Sequence, residues 1–235
     1  MEIYFSSDYT LSADRCLVVG MWAGGTLAET KYPLGEEMIK RVLDGGTFQG
    51  KKGETLLIAT PPSLQEGQLL LIGLGKLDDN FSEQTIQEMG GKIVATLNQS
   101  QITKGIIDIR DRRLGNPEKT PALLAAGATL RQWQFNQYKT QKKDYQGLEE
   151  LTISAPDSKA AVAYFEPLKA ITEGVFLTRH VVSEPPNVLY PESMAQLALD
   201  LKNLNVQVEV LGEADMKTLG MNALLGVGQG SMRES

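Results

Sequence analysis

The sequence predicts an α/β protein whose sheet is largely parallel or mixed. Short runs of strand-forming residues alternate along the chain with longer helical patterns, and this alternation is typical of layered α/β folds. Of the 235 residues, 42% are hydrophobic and 22% are charged, which supplies enough apolar material for a buried core. The alternation begins again after Pro191, so we expect a second α/β segment there.

The strands and helices before Pro191 follow from apolar periodicity and from turn residues. Six runs have strand character: residues 2–5, 16–19, 54–59, 68–74, 105–109 and 151–154. Helices are predicted at residues 34–43, 82–97, 120–138 and 159–183. Ser82 is the expected N-cap of the second helix, and Thr120 with Pro121 is the expected start of the third. Gly90 and Gly91 in the middle of the second helix weaken this helix prediction, but they could let another element approach closely.

A proline-rich stretch, VSEPPNVLYP at residues 182–191, separates the two segments. A residue before proline is disfavoured in helical geometry, so we expect a stiff, extended strap that connects one domain to the next. After the strap, the pattern predicts a helix at residues 192–204, a strand at 206–210, a short helix at 214–219 and a buried strand at 223–227.

The composition indicates a soluble, cytoplasmic protein. Acidic residues exceed basic ones, 29 against 23, and the net charge of −6 argues against a dedicated nucleic-acid binder. The N-terminal sequence lacks the basic and apolar regions of a secretion signal, and the apolar runs are too short to cross a membrane. Cys16 is the only cysteine, so no internal disulfide can form and a reducing compartment is favoured.

Residues that commonly form metal or catalytic sites are scarce. Because His180 and Cys16 are the only histidine and cysteine, the sequence excludes HExxH and paired-cysteine zinc sites. His180 is predicted to be a structural residue on a helix, and Cys16 a small buried hydrophobe in a strand. The dense acidic groups, which we interpret as solvated surface charge rather than as a metal site, are Asp78 with Asp79, Asp108 with Asp111, and Glu149 with Glu150.

Two glycine-rich motifs and one basic group are the remaining candidate sites. LIGLG at residues 71–75 and GVGQG at 226–230 lack the context of a dinucleotide fingerprint, so both predict tight turns at strand ends. The candidate nucleic-acid contacts, which could bind phosphates, are Arg110, Arg112, Arg113, Lys139, Lys142 and Lys143. The acidic total favours the alternative that this group is a solvated loop and helix end.

Four stretches of the sequence are recognisable together. They are HVVSEPPNVLYPESMAQLA at residues 180–198, LGMNALLGVGQGS at 219–231, LLLIGLGKLDDNFSEQTIQEMGG at 69–91 and FNQYKTQKK at 135–143. In these stretches the chain resembles the leucyl (cytosol) aminopeptidase family, and the resemblance covers nearly its whole length. It implies a macro-domain-like α/β domain at residues 1–155, a linker helix at 156–184, and a strap with the truncated start of a second, catalytic α/β domain at 185–235.

The same resemblance implies a hexameric enzyme that removes amino-terminal residues, notably leucine, from peptides. Two divalent metals, manganese or zinc, activate a bridging water in such enzymes. The family's metal ligands and catalytic residues lie in a Lys-Gly and Phe-Asp-x-Gly-Gly stretch and in an Asn-Thr-Asp-Ala-Glu-Gly-Arg-Leu stretch, and neither occurs here. No catalytic or metal residue is therefore carried over, no cofactor is expected in this chain, and we expect it to be inactive alone.

Two non-catalytic alternatives stay open. One is a binding or regulatory module for DNA or a nucleotide, since some bacterial members of the family bind DNA and a macro-like fold can hold a nucleotide. The other is a structural domain that takes part in hexamer assembly. A chain that stops early in the catalytic domain would expose the apolar strand at residues 223–227. We therefore expect this tail to pair abnormally, to self-associate or to be poorly ordered.

Overall fold

The computed structural model describes residues 1–32, 34–59, 67–141 and 147–234. Their contacts form two units, Met1–Phe176 and Leu177–Ser235. The first unit carries a sheet with helices, and the second carries helices joined by irregular segments. The domain boundaries expected from the sequence, after residues 155 and 184, stay a prediction.

The first unit contains a six-stranded mixed sheet among its described residues. Its strands are β1 (Glu2–Ser6), β2 (Cys16–Trp22), β3 (Thr55–Ile58), β4 (Gln68–Gly75), β5 (Lys104–Ile107) and β6 (Glu150–Ser154). Their order across the sheet is β1-β6-β5-β2-β4-β3, and every neighbouring pair is parallel except β3 with β4. All six strands predicted from the sequence are confirmed, as is the mixed α/β class.

Four α-helices follow the predicted pattern: α1 (Glu36–Asp44), α2 (Glu83–Gln99), α3 (Lys119–Gln132) and α4 (Ser158–Ser183). The predicted cap of α2 is confirmed, because the backbone N–H of Thr85 donates to Ser82 Oγ at 3.1 Å. The sequence predicts Thr120 as the cap and Pro121 as the first residue of α3, but the helix begins two residues earlier, at Lys119 after the cap Glu118. The Asn116 side chain accepts the backbone N–H groups of Glu118 and Lys119 there. The helix ends at Gln132, before the predicted residue 138, because Trp133 is extended.

The core has two layers, one on each face of the sheet. Strand β2 is buried along its whole length, and its side chains alternate between the two layers. Helices α2 and α3 cover one face, and α1 lies against the other. Cys16 is fully buried in β2, and burial raises the pKa of its thiol to about 12, so its prediction as an inert core residue is confirmed.

Helices α2 and α3 touch through their backbones at two glycines. A Cβ atom placed on Gly127 would lie 1.7 Å from the carbonyl oxygen of Gln87. One on Gly90 would lie 2.1 Å from the carbonyl oxygen of Leu124. Both distances are far below van der Waals contact, so only glycine permits this separation between the helices. The close approach predicted from Gly90 is confirmed.

The second unit contains the helices α5 (Pro191–Asp200), α6 (Glu213–Thr218) and α7 (Asn222–Gly228), with a 3-10 turn at Leu201–Leu204. The helices predicted in this segment are confirmed, but both strands predicted there are wrong. Residues 206–210 have no regular secondary structure and belong to no sheet, and residues 223–227 lie in α7. A strand needs a neighbour for its backbone groups, whereas a helix pairs them internally, and the described part of this unit offers no sheet.

The two glycine motifs differ in outcome. The first ends strand β4, where Gly75 has a φ of +90° and a Cβ on Gly73 would lie 2.0 Å from the carbonyl oxygen of Lys51. The strand-end turn predicted there is confirmed. The second motif begins inside helix α7, with Gly226 and Gly228 as helical residues, so the turn predicted for it is wrong.

The proline-rich connection is a turn rather than an extended strap. The backbone N–H groups of Val188 and Leu189 both donate to the carbonyl oxygen of Pro185 at 2.9 Å. Pro186 occupies the second position of this turn, where its fixed φ is favourable. Tyr190, with φ −145° and ψ 173°, has the extended geometry predicted before a proline.

No helix in the described ranges combines the length and the apolarity that a membrane crossing requires.

Candidate functional site

In many α/β folds, ligands bind at the carboxyl ends of two neighbouring strands from which the chain leads in opposite directions. In this sheet, the corresponding strands are β2 and β5. The two strands are neighbours, and the chain leads from β2 to β3 and β4 on one side but from β5 to β6 on the other. Such a reversal of direction opens a crevice beyond the strand ends. Asp108, Arg110, Asp111 and Arg113 follow β5 directly at this edge, so part of the predicted basic group lies beside one of the predicted acidic groups.

Asp108 is fully buried and accepts four hydrogen bonds. Its Oδ2 atom accepts from the Tyr9 hydroxyl at 2.6 Å, from Thr30 Oγ1 at 2.7 Å and from the Lys31 backbone N–H at 2.6 Å. Its Oδ1 atom accepts from Arg110 Nε at 2.7 Å. Burial raises the pKa of this carboxyl, but the hydrogen bonds outweigh it and hold the pKa below its usual value. The interpretation of Asp108 as solvated surface charge is therefore wrong.

Asp111 is also buried, and it joins β2 to the turn after β5. Its Oδ2 atom accepts from the Trp22 indole N–H at 2.8 Å, and its Oδ1 atom accepts from Arg113 Nε at 2.9 Å. The Arg113 guanidinium lies 5.0 Å from the centre of the Trp22 ring. Burial raises the pKa of Asp111, but the bonds from Arg113 and Trp22 outweigh it, so its pKa is lowered. Its interpretation as solvated charge is likewise wrong.

The crevice between β2 and β5 is filled by the chain itself. The loop after β2 returns over the strand ends, where the Ala28 backbone N–H donates to the carbonyl oxygen of Gly20 at 2.9 Å. The Arg110 backbone N–H donates to the carbonyl oxygen of Glu29 at 3.0 Å. Trp22 and Ala28 are both buried in the core. The two carboxylates therefore connect loops to the sheet, and the geometry does not present them to a ligand.

The predicted nucleic-acid residues are divided between two places. Arg110 and Arg113 pair with the buried carboxylates described above, while Arg112 is exposed in the short turn before α3. Lys139 is exposed beyond the carboxyl end of α3. Because this helix is about 21 Å long, Lys139 and Arg112 follow and precede opposite ends of it. Lys142 and Lys143 lie outside the described residues. Sequence reasoning missed Tyr9, Thr30 and Trp22 as partners of this group.

Because two of these arginines are paired with carboxylates and the chain is acidic, we expect the nucleic-acid prediction to fail. The purified chain is expected to cause no retardation of duplex DNA at low salt, where phosphate contacts are strongest. A complex that is weakened by Arg112→Glu and Lys139→Glu, but not by the exposed control Lys40→Glu, would contradict this expectation.

Metal-ligating side chains do not converge in the parts of the chain that the structure describes. No group of three histidine, cysteine, aspartate or glutamate residues there could hold a metal ion. The only histidine, His180, lies 3.1 Å from the Glu184 carboxylate through its Nε2 atom, one helical turn away. Asp79 accepts the Lys76 backbone N–H at 2.9 Å, and Glu150 pairs with Arg15. Each of these acids is held in a local structural contact.

The second unit contains a cavity of about 740 Å³ between its helices and the segment before α6. Its polar lining consists of Glu192, Glu209, Arg233 and Glu234 with the Tyr190 ring. The Arg233 guanidinium lies 3.5 Å from the centre of that ring. The lining includes neither the histidine nor the cysteine of the chain, so neither a cysteine nucleophile nor a histidine or cysteine zinc ligand is present there.

Comparison with known families matches this chain in two consecutive parts. The model of the cytosol aminopeptidase family, N-terminal domain, matches residues 18–142. The model of the cytosol aminopeptidase family, catalytic domain, matches residues 176–235. The first match alone covers more than half of the chain.

Curated relatives agree with the family match. A probable cytosol aminopeptidase of a Bradyrhizobium species is 41% identical over 203 residues, which are 85% of this chain and 40% of that protein. One from Caulobacter vibrioides is 37% identical over 199 residues, which are 84% of this chain and 39% of that protein. The chain thus spans about two fifths of the length of these relatives.

Solved structures share the fold at low sequence identity. A point mutant of tomato leucine aminopeptidase superposes with a TM-score of 0.72 at 18% identity, over 94% of this chain and 46% of that one. The bottromycin maturation enzyme BotP in complex with Mn superposes with a TM-score of 0.68 at 19% identity, over 95% and 44%. With the family match over more than half of its residues, this chain belongs to the cytosol aminopeptidase family.

Proposed function

We propose that this chain is the amino-terminal part of a leucyl aminopeptidase. The full-length enzyme would remove amino-terminal residues, notably leucine, from peptides in the cytoplasm, and it would assemble as a hexamer. The observation that carries this proposal is the order of the two family matches, with the catalytic-domain match beginning at residue 176 after the N-terminal match. The names of the relatives, probable cytosol aminopeptidases, support both the reaction and the location.

The residues of this chain do not fit the two divalent metals, manganese or zinc, that such an enzyme would use. Its one histidine contacts a glutamate, and the described carboxylates form no cluster of three. Two-metal sites need several such ligands around each ion. We therefore assign no catalytic or metal residue to this chain and propose that it is inactive alone. BotP, whose structure holds Mn, is covered over only 44% of its length by this chain.

A structural role is the second candidate function for Met1–Phe176. The loop after β2 and the side chains of Trp22 and Ala28 fill the crevice at the β2 and β5 ends, where a nucleotide would bind in related sheets. Asp108 and Asp111 accept hydrogen bonds from this chain's own donors, Tyr9 and Trp22 among them. These contacts favour a domain that supports assembly of the enzyme over a nucleotide-binding module.

A peptidase assay tests the proposed function. We expect no hydrolysis of leucine-p-nitroanilide by the purified chain with added manganese, because it supplies no metal ligands of the required kind. The full-length Bradyrhizobium relative, assayed alongside, is the positive control. Metal-dependent peptidase activity in the chromatography fractions that contain the 235-residue chain would contradict the proposal. Equilibrium dialysis with manganese gives an independent result, since the chain alone is expected to retain no ion stoichiometrically.

A further inference from the structure

Three amide groups form a closed ring of hydrogen bonds where the chain enters strand β6. The Asn98 side chain, near the end of α2, donates from Nδ2 to Gln132 Oε1 at 2.9 Å. Gln132, the last residue of α3, donates from Nε2 to the carbonyl oxygen of Leu148 at 3.0 Å. The Leu148 backbone N–H donates to Asn98 Oδ1 at 2.8 Å. In this ring, which we call the amide clasp, each amide donates once and accepts once, and such bonds strengthen one another.

The amide clasp fixes the point at which the chain rejoins the core. Leu148 is buried in the core layer that α2 and α3 cover. Directly after it, the Glu149 backbone N–H donates to the carbonyl oxygen of Thr103 at 2.7 Å. Gly147, directly before it, has a φ of +110°, and a Cβ atom placed there would lie 2.4 Å from Gln132 Nε2. Only glycine adopts this conformation without strain, so the chain is closely fitted to the clasp.

The chain that leaves α3 packs apart from the core. Residues 133–141, which we call the aromatic segment, contain no helix or strand. The centres of the Trp133 and Phe135 rings lie 6.3 Å apart in a stacked arrangement, and those of Phe135 and Tyr138 lie 5.7 Å apart. In the described part of the chain, neither core layer includes any of these three rings. Segments outside the core and without regular structure are the ones that open most easily.

We propose that the aromatic segment opens as a local unit while the sheet stays folded, because the amide clasp holds the chain at Gln132 before the segment and at Leu148 after it. Proteins open in contiguous units whose free energies range from near zero to that of global unfolding. Separation of the stacked rings breaks none of the bonds that hold the entry to β6, since those bonds come from the clasp and from Thr103. The inference concerns the chain as it stands and does not depend on the peptidase proposed above.

Tryptophan fluorescence distinguishes the two openings. The chain has two tryptophans, Trp22 in the core and Trp133 in the aromatic segment. In increasing urea, we expect the fluorescence of the unaltered chain to change in two steps. Trp133→Phe keeps a ring for the stack, and it is expected to show only the second step, at the same midpoint, because Trp22 alone then reports. One step with the same midpoint in both chains would overturn the proposal, and so would a first step that persists in Trp133→Phe.

Gln132→Ala tests whether the amide clasp separates the two steps. Without the Gln132 amide, the Leu148 carbonyl and the Asn98 amide each lose a partner, so the midpoint of the second step is expected to fall toward the first. Asn136→Ala is the matched control, because Asn136 Nδ2 donates to Gln134 Oε1 at 2.8 Å in an amide pair inside the aromatic segment. It is expected to leave the second midpoint unchanged. Equal second midpoints for Gln132→Ala and Asn136→Ala would show that the clasp does not hold the sheet, and would overturn the proposal.

Discussion

Replacement of Asp108 by asparagine is expected to lower the free energy of unfolding by about 3–5 kcal/mol, the usual effect of breaking a buried ion pair. The carboxylate is fully buried and accepts from Tyr9, Thr30, Lys31 and Arg110. An amide NH2 cannot accept a hydrogen bond, so one of these donors would face another donor in the core. Urea unfolding followed by tryptophan fluorescence measures the change, since Trp22 is buried in the same unit.

Asp14 is the matched control for this substitution. Like Asp108, Asp14 is paired with a basic residue, since its Oδ2 atom accepts from Lys104 Nζ at 2.6 Å. Unlike Asp108, its side chain is 55% exposed. Exposed ion pairs contribute little because water screens them and the side chains lose freedom. Asp14→Asn is therefore expected to leave the urea midpoint nearly unchanged. Similar midpoints for Asp108→Asn and Asp14→Asn would show that the Asp108 contacts do not stabilise the fold.

The same carboxylates make the stability depend on pH. The pKa values of Asp108 and Asp111 are lower in the folded chain than the usual value of about 3.9 for an unfolded aspartate. The unfolded chain consequently binds more protons in acid, so the stabilisation is present above that usual pKa and is lost as the pH falls through the folded pKa values. Asp108→Asn is expected to show a smaller fall in stability below about pH 5 than the unaltered chain.

The sequence predicted the sheet well because its strands are recognisable locally. Each of the six strands has a run of apolar or alternating residues between turn residues, and the central strand β2 is apolar throughout. The same reasoning failed at residues 223–227, where an equally apolar run forms helix α7. An apolar run of this length suits a strand or a helix, and only the presence of a neighbouring strand distinguishes them.

The environment of Asp108 could not be predicted because its partners are distant in the sequence. Tyr9 is 99 residues away and Thr30 is 78 residues away. Aspartate is usually exposed, so a surface position was the sound expectation for an isolated residue. One signal did point to burial, since Asp108 directly follows the apolar strand β5 within the run predicted as a strand. A carboxylate at the buried end of a parallel strand needs donors, and the loops after β1 and β2 supply them.

Replacement of Gly127 by alanine is expected to destabilise the first unit by about 1–3 kcal/mol or more, the usual effect of overpacking a core. The added methyl group would lie 1.7 Å from the carbonyl oxygen of Gln87, so α2 and α3 would have to separate. The contact is with backbone atoms, which cannot move aside as a flexible side chain would. Thermal and urea unfolding, again followed by tryptophan fluorescence, measure the loss.

Gly174→Ala is the matched control for Gly127→Ala, and the opposite change in stability is expected. Gly174 lies in α4, and a Cβ atom placed on it would meet nothing within 4 Å. Alanine exceeds glycine in helix propensity by about 1 kcal/mol, so Gly174→Ala is expected to stabilise the chain slightly. The same propensity acts at Gly127, and a loss of stability there therefore measures the contact between the two helices. If Gly127→Ala stabilised the chain as Gly174→Ala does, the helices would not touch as closely as the structure places them.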